Sequence, residues 1–283
     1  MVSRRDFIKV TSAAGLGLSI PAHSTAGDEF TLLITADLHA QLFTHDEFFV
    51  EKGKHVFRKR GGVDVLKSMV SDFRKKEKNV LLLDGGDYFH GHAIATKTEG
   101  EALVPVLNNF NYDIMLPGNW EVVYRKKRMI DVLNRISSAK ICANMWHKNA
   151  DGSRGELIFP AYKILNVAGI TIGFLGYTDH LVPRRQSPAF SAGITYSHAT
   201  ENLAEQIRIL REEKKCNIIF LVTHLGLAQQ VGLANHPATE GVDLIIGADT
   251  HERVRAPIQG KFTSVIECGA FGSFLGKLKV SIE

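Results

Sequence analysis

The sequence predicts an α/β domain, and three observations carry that prediction. Apolar runs of strand length alternate with stretches of helical period along most of the chain. Chemically capable residues follow directly on the carboxyl ends of those runs, which is where ligands bind in open α/β sheets. With 283 residues, 45% hydrophobic and 23% charged, the composition is that of a globular protein burying one large core or two small ones.

Phe30 to Ala36 is the first predicted strand. Gly61-Gly62 then opens a helix whose Val63, Leu66, Met69, Val70 and Phe73 share one stripe, with charges on the other face. Asn79 to Leu83 returns as a buried strand. Glu101 to Phe110 is a helix with Leu103, Val106, Leu107 and Phe110 inward, and Asp113 to Leu116 is a short third strand. Lys126 to Ser137 is a third helix and Lys140 to Met145 a fourth strand. Ala161 to Val167 and Ile170 to Gly176 turn tightly at Ala168-Gly169, as a hairpin does. A second α/β half follows, with a helix over Glu201 to Lys214, a buried strand over Asn217 to Thr223, a short helix over Leu227 to Asn235 and a strand over Val242 to Ile246. Thr263 to Cys268 and Leu275 to Ile282 close the chain as strands. No internal repeat or low-complexity linker interrupts this pattern, so residues 27–283 read as one domain with two similar halves.

The first residues differ in kind. Ser3-Arg4-Arg5-Asp6-Phe7-Ile8-Lys9 precedes the uncharged stretch Val10 to Pro21, and the arginine pair resembles a twin-arginine export signal, an address read by a receptor. An apolar run of roughly 12 residues is too short to span a bilayer core of about 30 Å as a helix. Residues 1–26 are therefore expected to be removed, with the mature protein delivered to the periplasm by the twin-arginine machinery and left without a stable membrane anchor. Of the formal net charge of +4, Arg4, Arg5 and Lys9 against Asp6 place +2 in this segment. The clusters Arg58-Lys59-Arg60, Arg74-Lys75-Lys76 and Lys214-Lys215 read as solvated residues flanking helices, and no motif for binding a nucleic-acid polymer is present. Cys142, Cys216 and Cys268 share no CxxC spacing and read as small buried residues.

Five apolar strands deliver polar residues toward one rim: Asp37-Leu38-His39, Asp84-Gly85-Gly86-Asp87, Gly118-Asn119-Trp120-Glu121, His224, and Asp249-Thr250-His251. Taken singly, Asp37 is an ordinary turn cap, His224 a satisfied core histidine and Asp87 a turn residue. Five successive strand ends carrying carboxylate, imidazole or amide groups point instead to a metal site. Mixed oxygen and nitrogen donors suit manganese, iron or zinc better than calcium, and the lack of thiolates argues against a structural zinc.

The series DLHAQ, GGD, GNWE, TH and GADTHE resembles the D-x-H, GGD, GNHE, H and GHxH motifs of calcineurin-like metallophosphoesterases, nearest the 5′-nucleotidase branch and the periplasmic thiosulfohydrolases of sulfur oxidation. The resemblance spans Phe30 to Glu283 and implies a four-layer α-β-β-α sandwich with two divalent metal ions at its rim, manganese first, zinc or iron otherwise. It assigns Asp37, His39 and His251 to the first ion and Asn119 and His224 to the second, with Asp87 bridging. Such a pair of ions, about 3.5–4 Å apart, activates water at neutral pH and polarises the group under attack. Asp249 stands where the family has a second-ion histidine, and is expected to ligate through oxygen while adding negative charge. Trp120 stands where phosphoesterases carry the histidine that assists the leaving group, and indole has no acidity to offer near pH 7.

The candidate catalytic residues are Asn119, Trp120, Glu121 and His92, the last because His90 or His92 is placed to replace the missing acid. Arg125-Lys126-Lys127-Arg128 reads either as an anion site or as a solvated helix start. The expected partner is a small anionic substrate or a thiolated carrier protein. Relatives in both branches continue into a second domain that helps bind substrate, so the chain reads as the metal domain alone, either a fragment or an enzyme that holds its substrate otherwise. Three functions stay open: an exported phosphate-ester hydrolase, a thiosulfohydrolase acting on a protein-bound thiosulfonate, and a metal-binding accessory protein without catalysis.

Overall fold

The computed structural model describes residues 29–281, and the predicted export segment, residues 1–26, lies outside them. In chain order, β1 (Glu29–Thr35) is followed by a hairpin of β2 (Thr44–Glu51) and β3 (Lys54–Gly61), then α1 (Val63–Lys76) and β4 (Val80–Asp84). Helices α2 (Ala93–Thr98) and α3 (Leu103–Phe110) lead to β5 (Ile114–Met115), and α4 (Arg125–Asn134) leads to β6 (Ala139–Lys140). Next come β7 (Met145–Lys148), β8 (Arg154–Leu157), the hairpin of β9 (Tyr162–Val167) and β10 (Ile170–Thr178), the single-turn α5 (Val182–Arg185) and β11 (Ile194–Tyr196). The second half runs α6 (Leu203–Arg208), β12 (Ile218–His224), α7 (Leu227–Ala234), β13 (Leu244–Gly247), β14 (Ile258–Gln259), β15 (Ser264–Glu267) and β16 (Gly276–Ser281).

Two mixed sheets form the centre, one in the order β16-β1-β4-β5-β6 and the other β14-β15-β13-β12-β10-β9. β1, β4, β5 and β6 are parallel, as are β10, β12, β13 and β15, so each set points its carboxyl ends one way. The strands are apolar on both faces because both faces are covered. Along β12 the period of two is explicit: Ile218, Phe220 and Val222 enter the core shared with the first sheet, while Ile219 and Leu221 face α6 and α7 with Leu203, Ile207 and Leu233. Phe30 of β1 meets Phe220 of β12 edge to face at 6.5 Å, so the two sheets pack directly on one another. Helices α1, α3 and α4 bury Leu66, Val70, Leu103, Leu107, Met129 and Val132 against the first sheet. The layers are thus α-β-β-α.

Four sequence expectations need correction. The apolar run Lys140 to Met145 is not one strand: β6 ends at Lys140, and residues 141–144 cross to the other sheet, where Ala143 N donates to Gly176 O. Burial during a crossing gives the same apolar signature as a strand. The helix expected over Glu201 to Lys214 is α-helical only over Leu203–Arg208 and then widens to a π-helical turn over Ile209–Glu213. Met69 is exposed rather than part of the inward stripe. Arg58-Lys59-Arg60 precedes α1 as expected, but lies on a strand, β3, that the sequence reading did not place.

Candidate metal centre

The carboxyl ends of both parallel sets meet at one rim, and the loops there adopt backbone conformations that most residues avoid. Asp37 (φ 51°), His39 (φ 48°), Asp87 (φ 64°), Asp249 (φ 88°) and His251 (φ 60°) all lie at positive φ. Single strained residues persist where surrounding structure over-determines them, typically at functional sites. Here the fixing contacts are visible: Asp37 N donates to Gly86 O, His39 N to Asp87 O, and Phe271 N to Asp37 O. Gly118 has no room for a side chain, since a Cβ there would sit 2.2 Å from Asp87 Oδ1 and 2.7 Å from His224 Cε1.

The side chains converge in two overlapping groups, Asp37 with His39 and His251, and Asp37 with Asp87 and His224, each with donor atoms inside 4.8 Å. His39 Nε2 and His251 Nε2 are 3.0 Å apart. Asp87 Oδ2 lies 3.6 Å from His39 Nε2 and 3.2 Å from His224 Nε2, and Asp37 Oδ1 lies 3.7 Å from His251 Nε2 and 3.9 Å from His224 Nε2. Both carboxylates therefore stand between the imidazoles of the two groups. Asn119 reaches the same place from β5, its Nδ2 donating to Asp249 Oδ1 at 3.1 Å.

This donor set fits divalent cations. Asn119 Oδ1 is buried without a hydrogen-bond partner, an arrangement that costs free energy unless something else satisfies it, and the buried His224 Nε2 faces the Asp87 carboxylate. Peripheral bonds fix the ring orientations, with His224 Nδ1 on Gly85 O and His39 Nδ1 on His90 O, as metal-binding histidines require. Burial drives Asp37 well above the usual carboxylate range and pushes His39 down to about 4. Burial acts against charge on His224 and Asp87 as well, but their mutual attraction outweighs it, raising His224 and lowering Asp87. The pocket between Asp37, Asp87 and Asp249 thus favours positive charge.

The remaining predicted site residues sit differently. Glu121, expected among the catalytic groups, is fully buried and engaged with the backbone. Its Oε2 accepts from Asp87 N and Gly118 N and its Oε1 from Tyr88 N, so it ties the β4 and β5 loops together. Trp120 donates its backbone N–H to Asp87 Oδ1 at 2.8 Å and stacks its indole on His90, 3.8 Å between centroids and 12° between planes. His90 rather than His92 is therefore the histidine at the site. His92 caps α2, its Nδ1 accepting from Ile94 N. In the basic run after Glu121, Arg125 lies over Phe190, Lys126 binds Gly193 O, and Arg128 pairs with Glu101 and Asp131.

Two residues escape the sequence reading. Asp179 follows the end of β10, a sixth strand end, and is fully buried. Arg185, on α5, binds Asp179 Oδ2 at 2.8 Å and both oxygens of Asp249 at 2.9 Å. The strand-end rule applied to Tyr177-Thr178-Asp179 was the available signal. Asp249, expected to be a metal ligand, is thus held first by a guanidinium.

Comparison with known proteins agrees with this architecture. Residues 30–253 match the calcineurin-like phosphoesterase family. The chain is similar to the 5′-nucleotidase of Bos taurus, 27% identical over 276 residues, covering 90% of this chain and 47% of that protein. Solved structures of like fold include a sulfate thiohydrolase SoxB of Thermus thermophilus, with a TM-score of 0.79, 22% identity and coverage of 92% of this chain and 54% of the other. A 5′-nucleotidase precursor, also from Thermus thermophilus, gives a TM-score of 0.77 at 22% identity, covering 90% and 52%. The chain spans about half the length of these relatives.

Proposed function

The chain belongs to the calcineurin-like phosphoesterase family, and from that membership we propose that it is an exported two-metal hydrolase of phosphate esters, nucleotides among them. The observation that carries this reading is the pair of overlapping donor groups with Asp37 and Asp87 between them. Asp37, His39 and His251 would hold one ion, and Asn119 Oδ1 and His224 Nε2 the other, with Asp87 serving both. When bound, divalent ions lower the pKa of water and polarise a phosphoryl oxygen. The chain's own residues do the positioning: Glu121 fixes the Asp87 loop, Gly85 O and His90 O set the imidazole tautomers, and buried carboxylates supply the field that retains the cations. Hydrolysis then gives an alcohol and phosphate from ester and water.

Indole at position 120 offers no proton to a leaving alkoxide, whereas a general acid contributes about 10²–10⁴-fold. Activity should therefore depend steeply on leaving-group basicity, with p-nitrophenyl phosphate turning over much faster than a nucleoside monophosphate. In Trp120→His the alkyl ester should gain about tenfold or more and the nitrophenyl ester little. The test is kcat/KM on both esters in both proteins at equal manganese occupancy. Absence of turnover on either ester in the metal-loaded protein would refute the phosphoesterase reading.

Trp120 also favours a second reading, because a sulfur leaving group needs no acid. Release of sulfate from a thiosulfonated carrier cysteine, without phosphate-ester turnover, would select it. Metal binding with neither reaction would leave an accessory role.

A further inference from the structure

We propose that Arg185 sets the occupancy of the second metal position by engaging both carboxylate oxygens of Asp249, making that position weak and exchangeable beside a tight first one. The inference rests on the two-metal reading above. Asp249 arrives from β13 beside Asn119 and His224, its Oδ1 3.6 Å from His224 Nε2, which is near enough to share a cation. Yet both of its oxygens face the Arg185 guanidinium at 2.9 Å, in the bidentate geometry that makes arginine–carboxylate pairs strong. Asn119 Nδ2 takes a further lone pair of Oδ1.

The pair is built to stay closed. Arg185 is gripped from its other side by Asp179, which is fully buried and itself oriented by the N–H of Leu181. Among the described residues, the charged partners of Asp37 and Asp87 are histidines alone, with no lysine or arginine. The guanidinium's effect therefore falls on the second position. It withholds a carboxylate ligand there and places a fixed positive charge next to an incoming dication, and both weaken binding.

Full-length mature protein, stripped with chelator, would be titrated with Mn²⁺ while free Mn²⁺ is followed by electron paramagnetic resonance. The native protein should show one tight and one weaker site. The double variant Asp179→Asn with Arg185→Gln removes the guanidinium together with its buried anchor, so that Asp249, the carboxylate an ion should gain, is the one charge left without its partner. Its second site should tighten about tenfold or more while the first changes less than about twofold. Arg185→Lys, which keeps the charge but loses the fork, should fall between the two. Circular dichroism and the thermal midpoint establish that each variant is folded. A second site that is unchanged or weaker in a folded double variant would overturn the role of Arg185 and leave the two-metal reading standing. Fewer than two Mn²⁺ in both proteins at saturation would overturn that reading, and the role of Arg185 with it.

Discussion

Asp87 and His224 make different demands on the site, although a sequence shows each only as a polar residue after a strand. Asp87 Oδ2 faces imidazoles of both donor groups, while His224 belongs to one. On the two-metal proposal, Asp87→Ala should therefore lose both ions together, and His224→Ala should chiefly weaken one; elemental analysis after metal-replete expression separates these, and equal, independent losses would contradict a shared carboxylate. Glu121 shows where sequence reading stops. It stands beside Trp120 in a motif of reactive residues, but its carboxylate accepts three backbone N–H groups. Orphaned buried donors cost about 1–3 kcal/mol each. Glu121→Ala should thus unfold at several kcal/mol less free energy, and Glu121→Gln, which keeps one acceptor oxygen, should lose less. Denaturant titration of both variants decides this, and an equal loss would mean that bulk rather than hydrogen bonding matters there.

Strand ends were legible because a buried parallel strand is a continuous apolar run, and the first polar residue after it marks the rim. The same rule fails where strands are not buried. The hairpin of β2 and β3 carries Thr44, Asp46, Glu47, Glu51, Lys54, Arg58 and Lys59 among its apolar residues and leaves Phe57 two-thirds exposed at 67%, so no alternation announces it. Its one local sign is the turn Lys52-Gly53, both at positive φ, as tight hairpins favour. Short loops matter as much as strands. Gly118 joins β5 to Asn119 at a point where a methyl group would strike both Asp87 and His224. Gly118→Ala should cost about 1–3 kcal/mol by overpacking and abolish uptake of the ion shared by those residues. Retention of native metal content in that variant would show that the β5 loop can yield.

The two sheets bury a single seam of apolar side chains and meet at a rim crowded with carboxylates, so the folded chain stores electrostatic cost at one end. Asp84, driven up to about 7 by burial, and Glu121, driven up to about 8 first by burial and then by Asp87, both hold protons in the fold that an unfolded chain would release near pH 4. Their contribution to stability is complete below that unfolded range and is lost as pH rises through 7 and 8. His39 works in the opposite sense: lowered to about 4, it stabilises the fold above the unfolded histidine range and withdraws that support as pH falls toward 4. Chelated protein should therefore be most stable in mild acid and lose thermal stability from about pH 5–6 to pH 8. Cations reverse the trend at the rim, because they compensate the carboxylates that repel one another and bind better once Asp37, held protonated by burial, gives up its proton. The rise in thermal midpoint on adding manganese to chelated protein should accordingly grow from pH 5 to pH 8. Melting curves with chelator and with manganese across that range measure it. A rise that stays constant, or shrinks toward alkaline pH, would mean that the buried acids at this rim are not what the ions neutralise.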